Sequence, residues 1–322
     1  MNKLSELFCI FNENIKLTES YKNKIRTGRD SLRKEINKYY VDKGENSPKH
    51  NSQGSYQMHT AIMPLDDEDF DLDNGVYLQG HSMDSDDWRT PHSVHQDILS
   101  AVDGHTDDVF DKSTCVRVNY QDNYHIDLPI YIMGTDAHGD NVAYLAHTEN
   151  GWTISDPKAF SDWFSNKVKE HGSILRRIVK YLKRWAHYND VNIKGMAITI
   201  LSSECFVKND DDAVSLLRTL TKVIDRLEDN FTCYKPVRPK NEDLFSSYKY
   251  YEQQLLLEKL KELKNKLNNA IYDAKNEGDA SEILREVFGT SFPMGNSTKT
   301  NSSSYLKTSQ PESVGEKNRH YA

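Results

Sequence analysis

The chain has 322 residues, of which 41 are Lys or Arg and 49 are Asp or Glu, and its formal net charge is −8. Only 37% of the residues are hydrophobic, and no run approaches the roughly 18 apolar residues that a membrane span needs. The acidic balance argues against a protein that wraps duplex DNA, because that affinity comes from clustered Lys and Arg. The first residues lack the apolar core and cleavage site of a secretory signal, so we expect a cytoplasmic protein.

The first half of the chain changes from a helical to a strand pattern. Residues 4–40 predict helices, because apolar side chains recur there at helical spacing. From about 54 to 133, apolar and polar residues alternate as in strands, including a candidate strand at 60–62. An Asp- and His-rich connection at 80–112 interrupts the strands, and it contains a candidate short helix at 94–102.

The second half predicts a helical lobe. Apolar stripes at helical spacing cover four segments, namely 171–189, 194–206, 211–229 and about 246–276. The Ser- and Thr-rich end has few large apolar groups and cannot offset its ordering entropy, so we predict that it is disordered. We therefore predict a core of N-terminal helices and strands, a helical lobe packed on that core, and a tail, at 1–170, 171–293 and 294–322.

Acidic residues mark two of the predicted strands. The segment Asp69–Asp73 reads Asp-Phe-Asp-Leu-Asp, so a period of two sends its apolar residues to one face and its three carboxylates to the other. Asp127 lies in the apolar segment 125–132, on the face opposite to the isoleucines. Carboxylates on neighbouring strands can hold hard cations such as Mg²⁺, and two such ions can promote phosphoryl transfer.

A third motif, Gln53-Gly54-Ser55-Tyr56, lies where the helical pattern gives way to strands. Glycine lets a backbone approach phosphate closely, and a serine hydroxyl and free amides can bind phosphate oxygens. A Gly-Ser pair alone is weak evidence. The order of Gly-Ser, then Asp-x-Asp, then a lone Asp in an apolar strand makes the indication stronger.

Competing interpretations apply to the other polar residues. Acidic runs are usually solvated faces, and we assign this role to a group of loop acids, namely Asp66, Asp67, Asp84, Asp86 and Asp87. Asp69 is left as either a surface residue or one that supports the metal ligands without binding the ion. The 12 histidines show no HxxxH or HExxH spacing, which disfavours a zinc hydrolase. No GxSxG, P-loop or GxGxxG signature opens a helix, which disfavours acyl hydrolysis, Walker-type ATP hydrolysis and dinucleotide redox chemistry.

Together these motifs resemble the polymerase-beta-like nucleotidyltransferases, and more closely the bacterial cGAS/DncV-like enzymes (CD-NTases) that make cyclic oligonucleotide signals. The resemblance covers about residues 10–293 and includes two further segments, Pro236–Leu244 and Phe288–Pro293. It implies a mixed α/β fold in which a nucleotidyltransferase sheet with helices packs on a C-terminal helical lobe.

The resemblance also implies roles for individual residues. Asp71 and Asp73 would bind two Mg²⁺ ions, for which Mn²⁺ can substitute, and Asp127 would complete one site and help to activate a ribose hydroxyl. Lys180 would contact phosphate, with Lys183 one turn later as the alternative. The remaining nucleotide-binding residues would be Gln53, Gly54, Ser55 and Tyr56. The segment Lys194-Gly-Met196 replaces a Ser-Ser-Tyr run of the animal enzyme, so base recognition is unassigned.

The implied function is the joining of NTPs, such as ATP and GTP, into a cyclic di- or trinucleotide. This second messenger would activate a separate effector in anti-phage defence (CBASS). The terminal His320-Tyr-Ala322 suits conjugation by a ubiquitin-like ligase pair, and the absence of a clustered His/Cys zinc thumb argues against a DNA-sensing module. Two alternatives remain: a related enzyme that adds nucleotides to RNA or protein, and a non-catalytic nucleotide-binding protein.

Overall fold

The computed structural model describes residues 3–65, 69–82, 84–121, 123–239 and 241–297. Asp66 and Asp67, which we assigned to solvation, lie outside these ranges, as do residues 298–322 of the predicted tail. No helix in the described part of the chain is both long enough and apolar enough to cross a bilayer.

The N-terminal half combines helices with a mixed sheet. Its helices are α1 (Lys3–Ile15), α2 (Glu19–Asp42), α3 (Gly54–Gln57) and α4 (Pro91–Ala101). Its strands are β1 (Lys49–Ser52), β2 (Phe70–Tyr77), β3 (Val109–Asp111), β4 (Val116–Tyr120), β5 (Tyr124–Leu128), β6 (Ile130–Thr135), β7 (Asn141–His147) and β8 (Gly151–Ile154). The expected strand at 60–62 is wrong, because Ile62 forms only an isolated bridge with Lys16. Strands β1, β3, β7 and β8 were not predicted from the sequence.

The remaining described elements are helical. They are α5 (Pro157–His171), α6 (Ile174–Tyr188), α7 (Gly195–Glu204), α8 (Asp212–Asp229), α9 (Tyr250–Asn268) and α10 (Glu277–Phe288). The four predicted helices correspond to α6 to α9, whereas α5 and α10 were missed. Met294–Ser297, the described start of the predicted tail, contacts α10, where the Gly295 amide donates to Ser281 Oγ at 2.8 Å.

Strand β2 pairs in parallel with both β5 and β6, and the two pairings share one register. Asp73 lies opposite Asp127, and Val76 lies opposite Ile130. Pro129 separates β5 from β6 because it has no N–H to donate, but its carbonyl still accepts from the Val76 amide at 2.8 Å. The single strand expected here is therefore interrupted without losing its alignment. Strand β1 pairs with β2 in the antiparallel sense, β4 with β5, and β7 with β6.

Two hydrophobic clusters fill the molecule. One joins the sheet to α2 and α4, and the other joins α1 to helices α5 to α10. Helix α1 belongs to the helical cluster because its aromatic face meets α6, where the rings of Phe11 and Tyr181 stack at 5.2 Å. The Tyr181 hydroxyl lies 2.9 Å from the Phe8 carbonyl oxygen and 2.8 Å from Asp212 Oδ2. The packing thus groups α1 and α5 with the helical lobe, although the predicted lobe began only at residue 171, where α5 ends. The mixed sheet packed on a helical lobe is the α/β architecture predicted from the sequence.

Candidate active site

Strand pairing brings the predicted acidic residues together. The period of two along β2 buries Phe70 and Leu72 and turns Asp71 and Asp73 to the opposite face. Because Asp73 lies opposite Asp127 in the parallel pair of β2 and β5, carboxylates from both strands meet on this face. The sheet register, rather than a loop, therefore determines the arrangement of the three acids.

His125 joins the acids from strand β5. Its Nε2 lies 3.0 Å from Asp71 Oδ1, but this buried nitrogen has no hydrogen-bond partner among the described residues. Ligand atoms of Asp71, His125 and Asp127 all lie within 4.8 Å of one another. An orphaned ring nitrogen beside two carboxylates is a donor set that fits a divalent cation.

The charge of the site also favours a cation. Burial, together with the nearby carboxylates of Asp71 and Asp127, raises the pKa of Asp73 to about 7, whereas Arg117 opposes this shift. The Asp73 carboxyl is therefore partly protonated near neutral pH, and a dication bound beside it would favour the ionised form. The donor set of Asp71, His125 and Asp127 therefore fits a divalent cation, and it differs from the predicted set in that His125 takes the place of Asp73.

Arg117 is a member of the site that the sequence analysis missed. It lies on β4 directly opposite Asp127, and its Nε and Nη2 donate to Asp127 Oδ1 and Oδ2 at 2.6 and 2.7 Å. Its Nη2 is also 4.0 Å from Asp71 Oδ1. The sequence contained a usable signal, because Arg117 is flanked by the buried Val116 and Val118 and so faces the same side of the sheet as the acids.

The Gly-Ser motif packs against β2. The Gln53 amide donates to the Asp73 carbonyl at 3.0 Å, and Gly54 follows with a φ of +62°. A Cβ at Gly54 would lie 2.2 Å from Asp73 Oδ2, so only glycine allows this approach. The buried Gln53 side chain accepts from the Tyr131 hydroxyl at 3.2 Å. The motif therefore lies directly beside the acid cluster.

The two candidate lysines on α6 have different neighbours. Lys183 Nζ donates to Thr60 Oγ1 at 3.2 Å, and the Thr60 amide donates to the Ser55 carbonyl at 2.9 Å. Burial lowers the pKa of Lys183 to about 8. Lys180 is also buried, with a pKa lowered to about 8 by burial, but the acid that influences it is Glu13 at the end of α1. Lys183 is thus linked to the Gly-Ser motif through Thr60.

Tyr56 is the fourth residue of the Gly-Ser motif. Its hydroxyl accepts from Arg26 Nε at 2.9 Å, and its ring packs against the sheet cluster. The side chain is half-buried, and its nucleotide-binding role stays a prediction. Asp69, which we left as either a surface residue or one that supports the metal ligands, is exposed immediately before β2.

Comparison with known proteins agrees with this architecture. Residues 48–131 match the family described as "Cyclic GMP-AMP synthase DncV-like, nucleotidyltransferase domain". A cyclic GMP-AMP synthase of Escherichia albertii is 28% identical over 203 residues, which are 59% of this chain and 44% of that protein. A cyclic AMP-AMP-AMP synthase of Acinetobacter is 23% identical over 273 residues, covering 80% of this chain and 76% of that protein. The chain thus spans less than half the length of the first of these relatives.

A solved structure extends the comparison to the fold. The Vibrio cholerae DncV cyclic AMP-GMP synthase aligns with a TM-score of 0.74 at 18% identity, covering 87% of this chain and 93% of that one. The chain therefore has the same fold as that synthase, a mixed sheet packed on a helical lobe. Over residues 48–131 and in the aligned relatives, the chain is thus similar to bacterial DncV-like nucleotidyltransferases, the class that its motifs resemble.

Proposed function

We propose that this protein is a cyclic oligonucleotide synthase that joins NTPs into a cyclic di- or trinucleotide and releases pyrophosphate. The observation that carries the proposal is the pairing of Asp73 with Asp127 on adjacent parallel strands, with Asp71 on the same face and Gly54 against Asp73. The relatives, which include synthases of different cyclic nucleotides, support this class of product.

In this proposal Asp71, Asp73 and Asp127 would hold two Mg²⁺ ions, for which Mn²⁺ could substitute. When bound, these ions would supply charge stabilisation for the attacking and leaving oxygens. The Asp127 carboxylate would also draw the proton from the attacking ribose hydroxyl. Because the register of β2 and β5 holds these acids in place, little reorganisation would be needed when substrate binds.

The triphosphate would lie along the Gly54–Ser55 segment. Glycine at position 54 allows the close approach of the chain that phosphate contact requires. We propose Lys183 as the phosphate-binding lysine in place of Lys180, because it reaches Thr60, which is hydrogen-bonded to Ser55. ATP and GTP are the proposed substrates.

The biological setting is part of the same proposal. The cyclic product would act in the cytoplasm as a second messenger that activates a separate effector in anti-phage defence. The C-terminal residues would be substrates for a ubiquitin-like ligase pair. Deleting Tyr321 and Ala322 should abolish adduct formation in the presence of such a pair; unchanged adducts would exclude this role for the tail.

The test is incubation of the full chain with all four labelled NTPs and Mg²⁺ or Mn²⁺, followed by phosphatase treatment and mass spectrometry. Asp71→Asn/Asp73→Asn is the inactivating variant. The matched control is Asp225→Asn/Asp229→Asn, which removes two exposed carboxylates from α8 and should keep wild-type activity. A phosphatase-resistant product that is lost only in the first variant is the expected result.

Two other outcomes would contradict the proposal in different ways. Linear, phosphatase-sensitive products would favour the alternative enzyme that adds nucleotides to RNA or protein. Equal product from the wild type and from Asp71→Asn/Asp73→Asn would exclude these acids from the chemistry.

A further inference from the structure

We infer that the positive charge of Arg117 lowers the affinity of the acid cluster for divalent cations. We also infer that Arg117 loses one of its two hydrogen bonds to Asp127 when a cation binds. The inference rests on the metal site of the proposed function. It assigns Arg117 a positioning and regulating role at that site.

Arg117 and Asp127 form a bidentate ion pair across strands β4 and β5. Both oxygens of Asp127 accept from the same guanidinium, at 2.6 and 2.7 Å, in a two-pronged contact. The pair is only partly exposed, with 21% of the Arg117 side chain and 12% of the Asp127 side chain accessible. Both oxygens of Asp127 are therefore already bound to a positive group. A cation that uses one of them as a ligand must displace the Arg117 guanidinium from that oxygen or share the oxygen with it.

The charge of Arg117 acts on more than one of the acids. Arg117 lies 4.0 Å from Asp71 as well as against Asp127, so one guanidinium faces carboxylates from both strands. Arg117 also offsets the repulsion that the negative charges of Asp71 and Asp127 exert on an ionised Asp73. Without a cation, Arg117 stabilises the cluster by compensating its negative charge. With a cation present, the same charge repels the ion.

This dual role predicts opposite effects on metal binding and on turnover. Arg117→Gln removes the competing charge, so Mn²⁺ should bind about tenfold tighter, which corresponds to about 1.4 kcal/mol. Turnover at saturating metal should nevertheless fall, because Asp127 loses the contact that orients it. Arg117→Lys keeps the charge but loses the two-pronged geometry, so its Mn²⁺ affinity should stay within about threefold of the wild type.

The experiment measures Mn²⁺ binding directly by electron paramagnetic resonance, without NTP and without relying on activity. The wild type, Arg117→Gln and Arg117→Lys are compared with Arg226→Gln, which breaks an arginine–carboxylate pair with Glu204 in the helical lobe. Arg226→Gln should bind Mn²⁺ as the wild type does. An affinity of Arg117→Gln that is equal to or weaker than that of the wild type would overturn the inference.

A second measurement uses the wild type, in case Arg117→Gln fails to fold. The Arg117 Nε–H signal, assigned by its loss in Arg117→Lys, should shift during an Mg²⁺ titration followed by ¹⁵N NMR as one hydrogen bond to Asp127 is released. A signal that does not move at saturating Mg²⁺ would contradict the inference.

Asp71→Asn/Asp73→Asn separates this inference from the function on which it rests. If this variant binds Mn²⁺ as well as the wild type does, or if the wild type binds none, the metal site itself is wrong and both proposals fail. If the acids are needed for binding but Arg117→Gln leaves the affinity unchanged, only the inference about Arg117 fails.

Discussion

Gly54→Ala should disable the site through a single methyl group. Gly54 has a φ of +62°, and an L residue in this left-handed region costs about 1–2 kcal/mol of stability. The added Cβ would also lie 2.2 Å from Asp73 Oδ2, and relief of that contact requires a movement of roughly 1 Å. Because a displacement of this size at a reacting centre can cost about 100-fold in rate, we expect a loss of kcat of that order.

Gly44→Ala is the matched control for Gly54→Ala. Gly44 has a φ of +76°, but in the described part of the chain no atom beyond Gly44 and its two chain neighbours lies within 4 Å of the position that its Cβ would take. It should lose about 1–2 kcal/mol of unfolding free energy in urea and keep its turnover of NTP. If Gly54→Ala loses no more activity than Gly44→Ala does, the contact with Asp73 does not control the site.

Three further predictions concern other parts of the molecule. Lys183→Met should raise the KM for NTP about tenfold, whereas Lys180→Met should change it less than twofold; equal effects in steady-state assays would contradict the assignment of Lys183. In the metal-free folded protein the pKa of Asp73 is about 7, whereas in the unfolded chain it is about 4. Folding is therefore favoured by protonation of Asp73, and this contribution to stability is lost as the pH rises from about 4 to 7. Asp73→Asn should therefore flatten this part of the Tm–pH profile, and an unchanged profile would argue against the raised pKa. Tyr181→Phe should lower the unfolding free energy by about 1–3 kcal/mol, because it removes a buried polar group between the Phe8 carbonyl and Asp212; a loss below about 0.5 kcal/mol in urea would contradict this.

The sequence was sufficient to predict the acid-bearing strands and most of the long helices. Phe70 and Leu72 alternate with Asp71 and Asp73, and this period of two survives in the folded sheet because one face of β2 is buried. The resemblance to CD-NTases added the order of the motifs. It also correctly predicted the α/β fold with its helical lobe.

Features that depend on tertiary contacts were not predicted from sequence. Helix α6 carries both Lys180 and Lys183, one turn apart, and the contact of Lys183 with Thr60 depends on tertiary packing that the sequence does not specify. Helix α1 has an apolar face whose partner could be either cluster, and its contact with Tyr181 assigns it to the helical one. The pairing of Arg117 with Asp127 depends on the register between β4 and β5, which no local pattern specifies.

The shared register of β5 and β6 against β2 predicts where the chain can change in length. The connection from Leu78 to Cys115 links strands whose alignment is maintained by their own hydrogen bonds, so insertions there should leave the acids in place. A one-residue deletion between Asp127 and Ile130 would be different, because it would break the alignment on one side of Pro129 and reverse the facing of every later side chain in the strand. Natural or engineered variation in loop length should therefore be tolerated before β4 and excluded within the few residues around Pro129.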